Sequence, residues 1–239
     1  MLNLSFSPLE ETISFYTRND FAIINHLLVG NDEGLWKYAL LAYNDNRDII
    51  DEYERGIRSI DGDYDIKWLN CLKKRLINGL DNEAKKIIIQ NAKEDISNIL
   101  HAMYPTKTDL HLYRTAWIDK THATENAFPY SREYKALGFG VGSVLEIKSI
   151  TSCSMTPYRE DDDVGSDFYR YEIHIPKGNP VLELDPFECH NEDGEVLLPP
   201  MKCKVSGICT DTNGKCRGII KLAFIQPLEG TVFPERTIL

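Results

Sequence analysis

Three residues of different chemistry stand on strand-like segments of this chain, in the order arginine, serine, glutamate. Arg114 ends Leu112-Tyr113-Arg114, Ser152 lies within Ser149-Ile150-Thr151-Ser152-Cys153-Ser154, and Glu195 opens Glu195-Val196-Leu197-Leu198-Pro199-Pro200. Arginine's planar, permanently charged fork suits a phosphate or pyrophosphate. A carboxylate can stabilise the positive charge that develops at a sugar carbon when a glycosidic bond breaks. A serine hydroxyl can hold such a carboxylate in position. Taken singly, each has a plainer reading: Arg114 as a surface ion-pair residue, Ser152 as a strand hydroxyl, Glu195 as a solvated strand end. Taken together and in order, they suit the binding and breaking of a nucleotide such as NAD, in which a pyrophosphate stands near a cleavable bond to ribose.

The elements that must position these residues change character near Pro105. Before it the pattern is helical. Ser7-Pro8 supplies a cap and a first-turn proline for a helix from Leu9 to Tyr16. Further helices are expected from Phe21 to Leu28, ending at Gly30, from Leu35 to Tyr43, and from Ile49 to Arg58. Ile66, Leu69, Leu72, Leu76 and Leu80 recur close to a 3.6 period, and Asp81 caps a long helix reaching about Tyr104. After Pro105, strands are expected at Leu110–Trp117, Val144–Ile150, Tyr169–Ile175, Val181–Leu184, Glu195–Leu198, Lys202–Ile208 and Gly218–Pro227.

Composition narrows the class. The 239 residues, 42% hydrophobic and 27% charged, suit one large or two small globular domains. A net charge of −10 argues against a duplex-DNA binder held by phosphate contacts. No apolar run approaches the ~18 residues of a membrane span, and Met1 to Phe6 lacks the start of a secretory signal. The expectation is a cytoplasmic protein, or one delivered without a cleaved signal. Cys71, Cys153, Cys189, Cys203, Cys209 and Cys216 form no C-x-x-C pair, so scattered free thiols are expected rather than zinc. Gly138, Gly140 and Gly142 read as turn glycines, because their spacing is not that of a dinucleotide loop. His101, His111, His122 and His174 show no metal spacing.

The C-terminal half, roughly residues 108–227, resembles the mono-ADP-ribosyltransferases of the arginine–serine–glutamate class. Four blocks carry the resemblance: Tyr113-Arg114, Ser152-Cys153-Ser154, the strand ending Pro176-Lys177-Gly178, and Glu195 to Pro199. It implies an α/β (α+β) protein with a helical N-terminal lobe (1–106) and a catalytic core (107–239) of two antiparallel β-sheets around a central NAD cleft. NAD would be the substrate, with no metal required. Arg114 would hold the NAD phosphates or the adjoining ribose, beside Tyr113, and the backbone at Thr115 would hold the nicotinamide amide. Ser152, with Ser154 in the same block, would orient Glu195, and Glu195 would contact the nicotinamide ribose and stabilise the cation. Tyr158, Arg159 and Phe168 fall in the stretch matching the loop over phosphate and nicotinamide. Phe187 and Asp193 fall in the turn that selects the acceptor.

Two departures from the family pattern stand out. Cys153 replaces the middle threonine of Ser-Thr-Ser. Asp193 stands two residues before Glu195, where family members acting on arginine carry Glu and those acting on asparagine or cysteine carry Gln. Arginine is mildly favoured as acceptor, with Asp193 as its base or orienting group. The implied partner is a macromolecular acceptor, a protein ahead of a nucleic acid, for a monomeric bacterial effector or toxin acting in a host cytosol. Competing readings are an NAD glycohydrolase, a degenerate binding module and a nucleic-acid modifier on the same fold.

Overall fold

The computed structural model describes residues 5–17, 21–57, 62–75, 79–117, 140–157, 168–187, 194–212, 216 and 218–228. The chain divides into two compact units. One comprises Met1–Ile99 with Pro186–Asn191, the other Leu100–Asp185 with Glu192–Leu239.

The first unit is helical. Helix α1 (Pro8–Phe15) begins with a reciprocal cap: the Glu10 N–H donates to Ser7 Oγ at 3.3 Å and the Ser7 N–H to Glu10 Oε2 at 2.8 Å. Helix α2 (Phe21–Val29) is followed by α3 (Asp32–Glu54), where two separate helices were expected. The polar run Asn44-Asp45-Asn46 falls in the gap between the two expected helices. Asn46 instead donates its side-chain amide to the Ala42 carbonyl one turn earlier at 2.8 Å, so a potential breaker is absorbed within the helix. Helix α4 (Asp63–Arg75) stops short of the expected Leu80, residues 76–78 lying outside the described residues. Helix α5 (Asn82–Ala102) is capped by Asp81, whose Oδ1 accepts from the Ala84 N–H at 2.8 Å.

Two buried polar features mark this unit. Asp95, 1% exposed, takes both arms of Arg75 at 2.5 and 2.9 Å and the Thr12 hydroxyl at 2.7 Å. Asn98 donates in turn to Thr12, and the Arg75 guanidinium lies 4.5 Å from the centre of the Phe15 ring. His26, by contrast, is fully buried, with neither ring nitrogen hydrogen-bonded among the described residues. Its ring stacks on Tyr38 at 5.3 Å between centroids and lies against the backbone of Gly34, where a Cβ would fall 2.3 Å from the ring. Burial, reinforced by Lys37, holds its pKa below the ordinary imidazole value.

Among the described residues the second unit is built on nine strands: β1 (Tyr104–Pro105), β2 (Leu110–Trp117), β3 (Val144–Ile147), β4 (Thr151–Ser154), β5 (Phe168–Ile175), β6 (Pro180–Glu183), β7 (Glu195–Leu198), β8 (Met201–Cys209) and β9 (Gly218–Pro227). Their spatial order is β1-β6-β7-β4-β2-β5-β9-β8-β3. The α/β class is as expected, but the sheet differs from two separate antiparallel ones. Pairing is continuous through all nine strands, and β5 and β9 run parallel. The continuity is thin at one place. β2 meets β4 through the single pair Tyr113↔Ser154, whereas β2 pairs β5 all the way from Leu110↔Ile175 to Trp117↔Phe168.

Two local readings change as well. Tyr104-Pro105 is a short strand on β6 rather than a helix end and its stop. The expected Val144–Ile150 strand ends at Ile147, and Thr151–Ser154 forms its own strand in the other half of the sheet, on β7. The physical reason is burial. Ser149 and Ile150 are both 1% exposed, so the chain stays inside as it passes from one half to the other. One face of the sheet makes a single core that includes Leu112, Cys153, Tyr171, Ile173, Val196, Cys203 and Leu222. Each buried aliphatic side chain of this kind contributes about 1.5–3 kcal/mol.

Candidate active site

The three residues that opened the sequence analysis converge where the sheet is thinnest. In β4 and β7 the register sets Ser154 opposite Glu195 and Ser152 opposite Leu197. Alternation then puts Ser152, Ser154 and Glu195 on one face, while Cys153 and Val196 turn into the core. Ser152 and Glu195 are diagonal neighbours, a spacing that a long side chain can close. The Ser152 hydroxyl donates to Glu195 Oε1. Arg114, opposite Tyr171 on β5, reaches across and donates through Nη1 to the Ser152 backbone carbonyl. The β2–β4 ladder has a single rung, and the guanidinium supplies a partner for a strand carbonyl beside it.

Serine is thus held at both ends, its carbonyl by arginine and its hydroxyl on the carboxylate. Arg114, Ser152 and Glu195 are all half-buried. The Ser152 hydroxyl thus orients a carboxylate that is itself only half-buried. Directly beneath, burial pushes the Cys153 thiol up to about 12. Arg114 opposes that rise and Glu195 adds to it. A thiol so far from ionisation is a packing group, not a nucleophile.

The remaining sequence-predicted residues lie as follows. Tyr113 is half-buried opposite Ser154 and Glu172, on the face of β2 away from Arg114. Thr115 pairs with Arg170, and Phe168 opens β5 opposite Trp117. The Ser154 hydroxyl accepts from the Thr156 N–H at 3.0 Å and so closes the turn after β4. Phe187 follows β6 and is half-buried. Tyr158, Arg159 and Asp193 lie outside the described residues.

The sequence reading bounds the acceptor-selecting turn by Asp185 and Gly194 but does not foresee the contact between them. The Gly194 N–H donates to Asp185 Oδ1 at 2.7 Å, immediately before Glu195 in the chain. An Asp at the end of one strand and a Gly one residue before the next is the only sequence signal for this pairing, and it is a weak one.

Comparison with solved structures gives this arrangement a context. The Salmonella SpvB ATR domain superposes with a TM-score of 0.57 at 17% identity, over 92% of this chain and 100% of that one. The catalytic domain of VahC from Aeromonas hydrophila gives 0.52 at 15%, over 92% and 99%. Plx2a, an ADP-ribosyltransferase toxin from Paenibacillus larvae, gives 0.50 at 16%, over 93% and 88%. The chain therefore has the fold of ADP-ribosyltransferase toxin catalytic domains, a mixed α/β architecture. No protein-family model and no curated protein matches its sequence.

Proposed function

We propose that the protein is a mono-ADP-ribosyltransferase that cleaves NAD and transfers ADP-ribose to a protein acceptor. The observation that carries this reading is the linked set Arg114–Ser152–Glu195, gathered at the single rung joining the two halves of the sheet. The fold of ADP-ribosyltransferase toxins supports it.

The mechanism follows from the chemistry of the three groups. NAD binds with its phosphates or the adjoining ribose on Arg114, and the Thr115 backbone meets the nicotinamide amide, while Tyr113, on the other face of β2, stands opposite Ser154. Tyr158, Arg159 and Phe168 complete the cofactor side. As the bond to nicotinamide lengthens, positive charge grows on the ribose. Glu195, aligned by Ser152, stabilises that charge in a site already organised to receive it. An acceptor nucleophile then attacks the ribose carbon. Asp193 orients or deprotonates that acceptor, with Phe187 on the recognition side and arginine mildly favoured as the residue modified. The setting that goes with this reading is a toxin or effector in a host cytosol.

Incubation with labelled NAD and lysates of several origins tests the proposal. The expected result is label on protein, removed by protease and resistant to nuclease, and lost in Glu195→Gln. Nicotinamide release without label on any macromolecule would instead identify a glycohydrolase. A calorimetric titration showing no NAD binding would reject both.

A further inference from the structure

We propose that Asp185 is a positioning residue for Glu195, acting through the backbone of Gly194. The inference rests on the functional reading above and adds to it a group outside the arginine, serine and glutamate.

The peptides on either side of Glu195 are both held. The Glu195 carbonyl accepts from the Leu184 N–H at 3.0 Å, which extends the β6–β7 ladder by one rung past Glu183↔Val196. The Gly194 carbonyl accepts from the Met155 N–H at 2.7 Å, at the end of β4. The Gly194 N–H donates to Asp185 Oδ1 at 2.7 Å. Gly194 thus has both its backbone polar groups engaged, one by the strand that carries Ser152 and one by the residue that follows β6. Among these contacts Asp185 contributes the one side chain.

The conformation at Gly194 makes that side chain matter. Its φ is 75°, in the left-handed region where glycine is at ease and other residues are strained. Glycine's freedom means that the local backbone does not hold itself in place, and something else must fix it. A Cβ at Gly194 would lie 3.5 Å from Met155 Cβ, so this position also lies close to the end of β4. The geometry assigns the fixing to the Asp185 carboxylate. Its loss would release the Gly194 N–H, and with it the entry of Glu195 into β7. The Ser152 contact and the β4–β7 register would then retain the residue but not its aim. A misplacement of about 1 Å at a reacting group costs on the order of 100-fold in rate, so a partial loss of aim should cost about 10-fold.

The test compares Asp185→Ala with Asp185→Asn, which keeps an oxygen acceptor at the same place. Steady-state NAD cleavage, thermal midpoints and amide hydrogen exchange at Gly194 are measured for both. The expected result is a kcat about 10-fold lower in Asp185→Ala, with KM for NAD within about 3-fold and Gly194 exchange faster. Asp185→Asn should restore both the rate and the protection. Three results would overturn the proposal: parental kcat in Asp185→Ala, an equal loss in Asp185→Asn, or unchanged Gly194 exchange in Asp185→Ala. Should the parent protein cleave no NAD, the functional reading falls. The exchange comparison still decides whether Asp185 holds Gly194.

Discussion

Two trios in this molecule, one around a buried carboxylate and one around a half-buried one, use the same three chemistries to opposite ends. In the helical unit, Arg75 sits bidentate on Asp95 and Thr12 donates to the same carboxylate, which is 1% exposed. In the sheet unit, Ser152 donates to Glu195, but the Nη1 of Arg114 is aimed at the Ser152 backbone, and the carboxylate is only half-buried. The first arrangement closes every side of the carboxylate with its own protein and is a brace. The second orients a carboxylate that stays half-buried. Residue type did not distinguish them; the burial of the carboxylate did.

The sharpest way to break this comparison is to remove each carboxylate. Asp95→Ala removes the bidentate partner of a mostly buried Arg75, which keeps its 3.5 Å contact to Glu11, and should cost about 3 kcal/mol of stability, read as a fall in the urea midpoint. Glu195→Gln should leave the unfolding free energy within about 1 kcal/mol of the parent and lower kcat for NAD cleavage by about 100- to 1,000-fold. A stability loss at Glu195 as large as that at Asp95 would show that the sheet trio is also a brace.

The hydroxyls sharpen the contrast at smaller scale. Each donates to a carboxylate, a bond worth about 1.5–3 kcal/mol when one partner is charged. Thr12→Val should show that loss in equilibrium unfolding. Ser152→Ala should show it in kcat, as a fall of about 10- to 100-fold. Equal stability losses from both substitutions would remove the distinction.

The smallest effect concerns His26 and the acid side of the helical unit. Its folded pKa is lowered by burial, so the unfolded chain takes up the proton first as pH falls. The stability it contributes is complete above the ordinary value of about 6.5 and is lost as pH falls from there toward the folded pKa. Thermal midpoints should drop between pH 7 and 5, and His26→Gln should flatten that slope. A parental slope in the variant would place the acid sensitivity elsewhere.

Much of this was readable before any coordinates. The Ser7-Pro8 start of α1, the Asp81 cap of α5 and the β2, β5 and β9 segments follow from local chemistry, because caps and alternation act over a few residues. The gap expected between Leu35–Tyr43 and Ile49–Arg58, and the single strand expected at Val144–Ile150, differ from the structure for the complementary reason. Whether an asparagine ends a helix depends on what its amide finds, and whether one strand becomes two depends on which neighbours lie to either side.

What the sequence determined by itself was the identity and order of the reactive groups, and the strands that bear them. An arginine, a serine and a glutamate on alternating segments are a statement about chemistry, and chemistry is local. What only the tertiary structure decided was that Arg114 is directed to the Ser152 carbonyl, that Ser152 reaches diagonally to Glu195, and that Asp185 stands on Gly194. These contacts join residues 38, 43 and 9 positions apart. Their geometry is set by strand order and register, which no single segment contains.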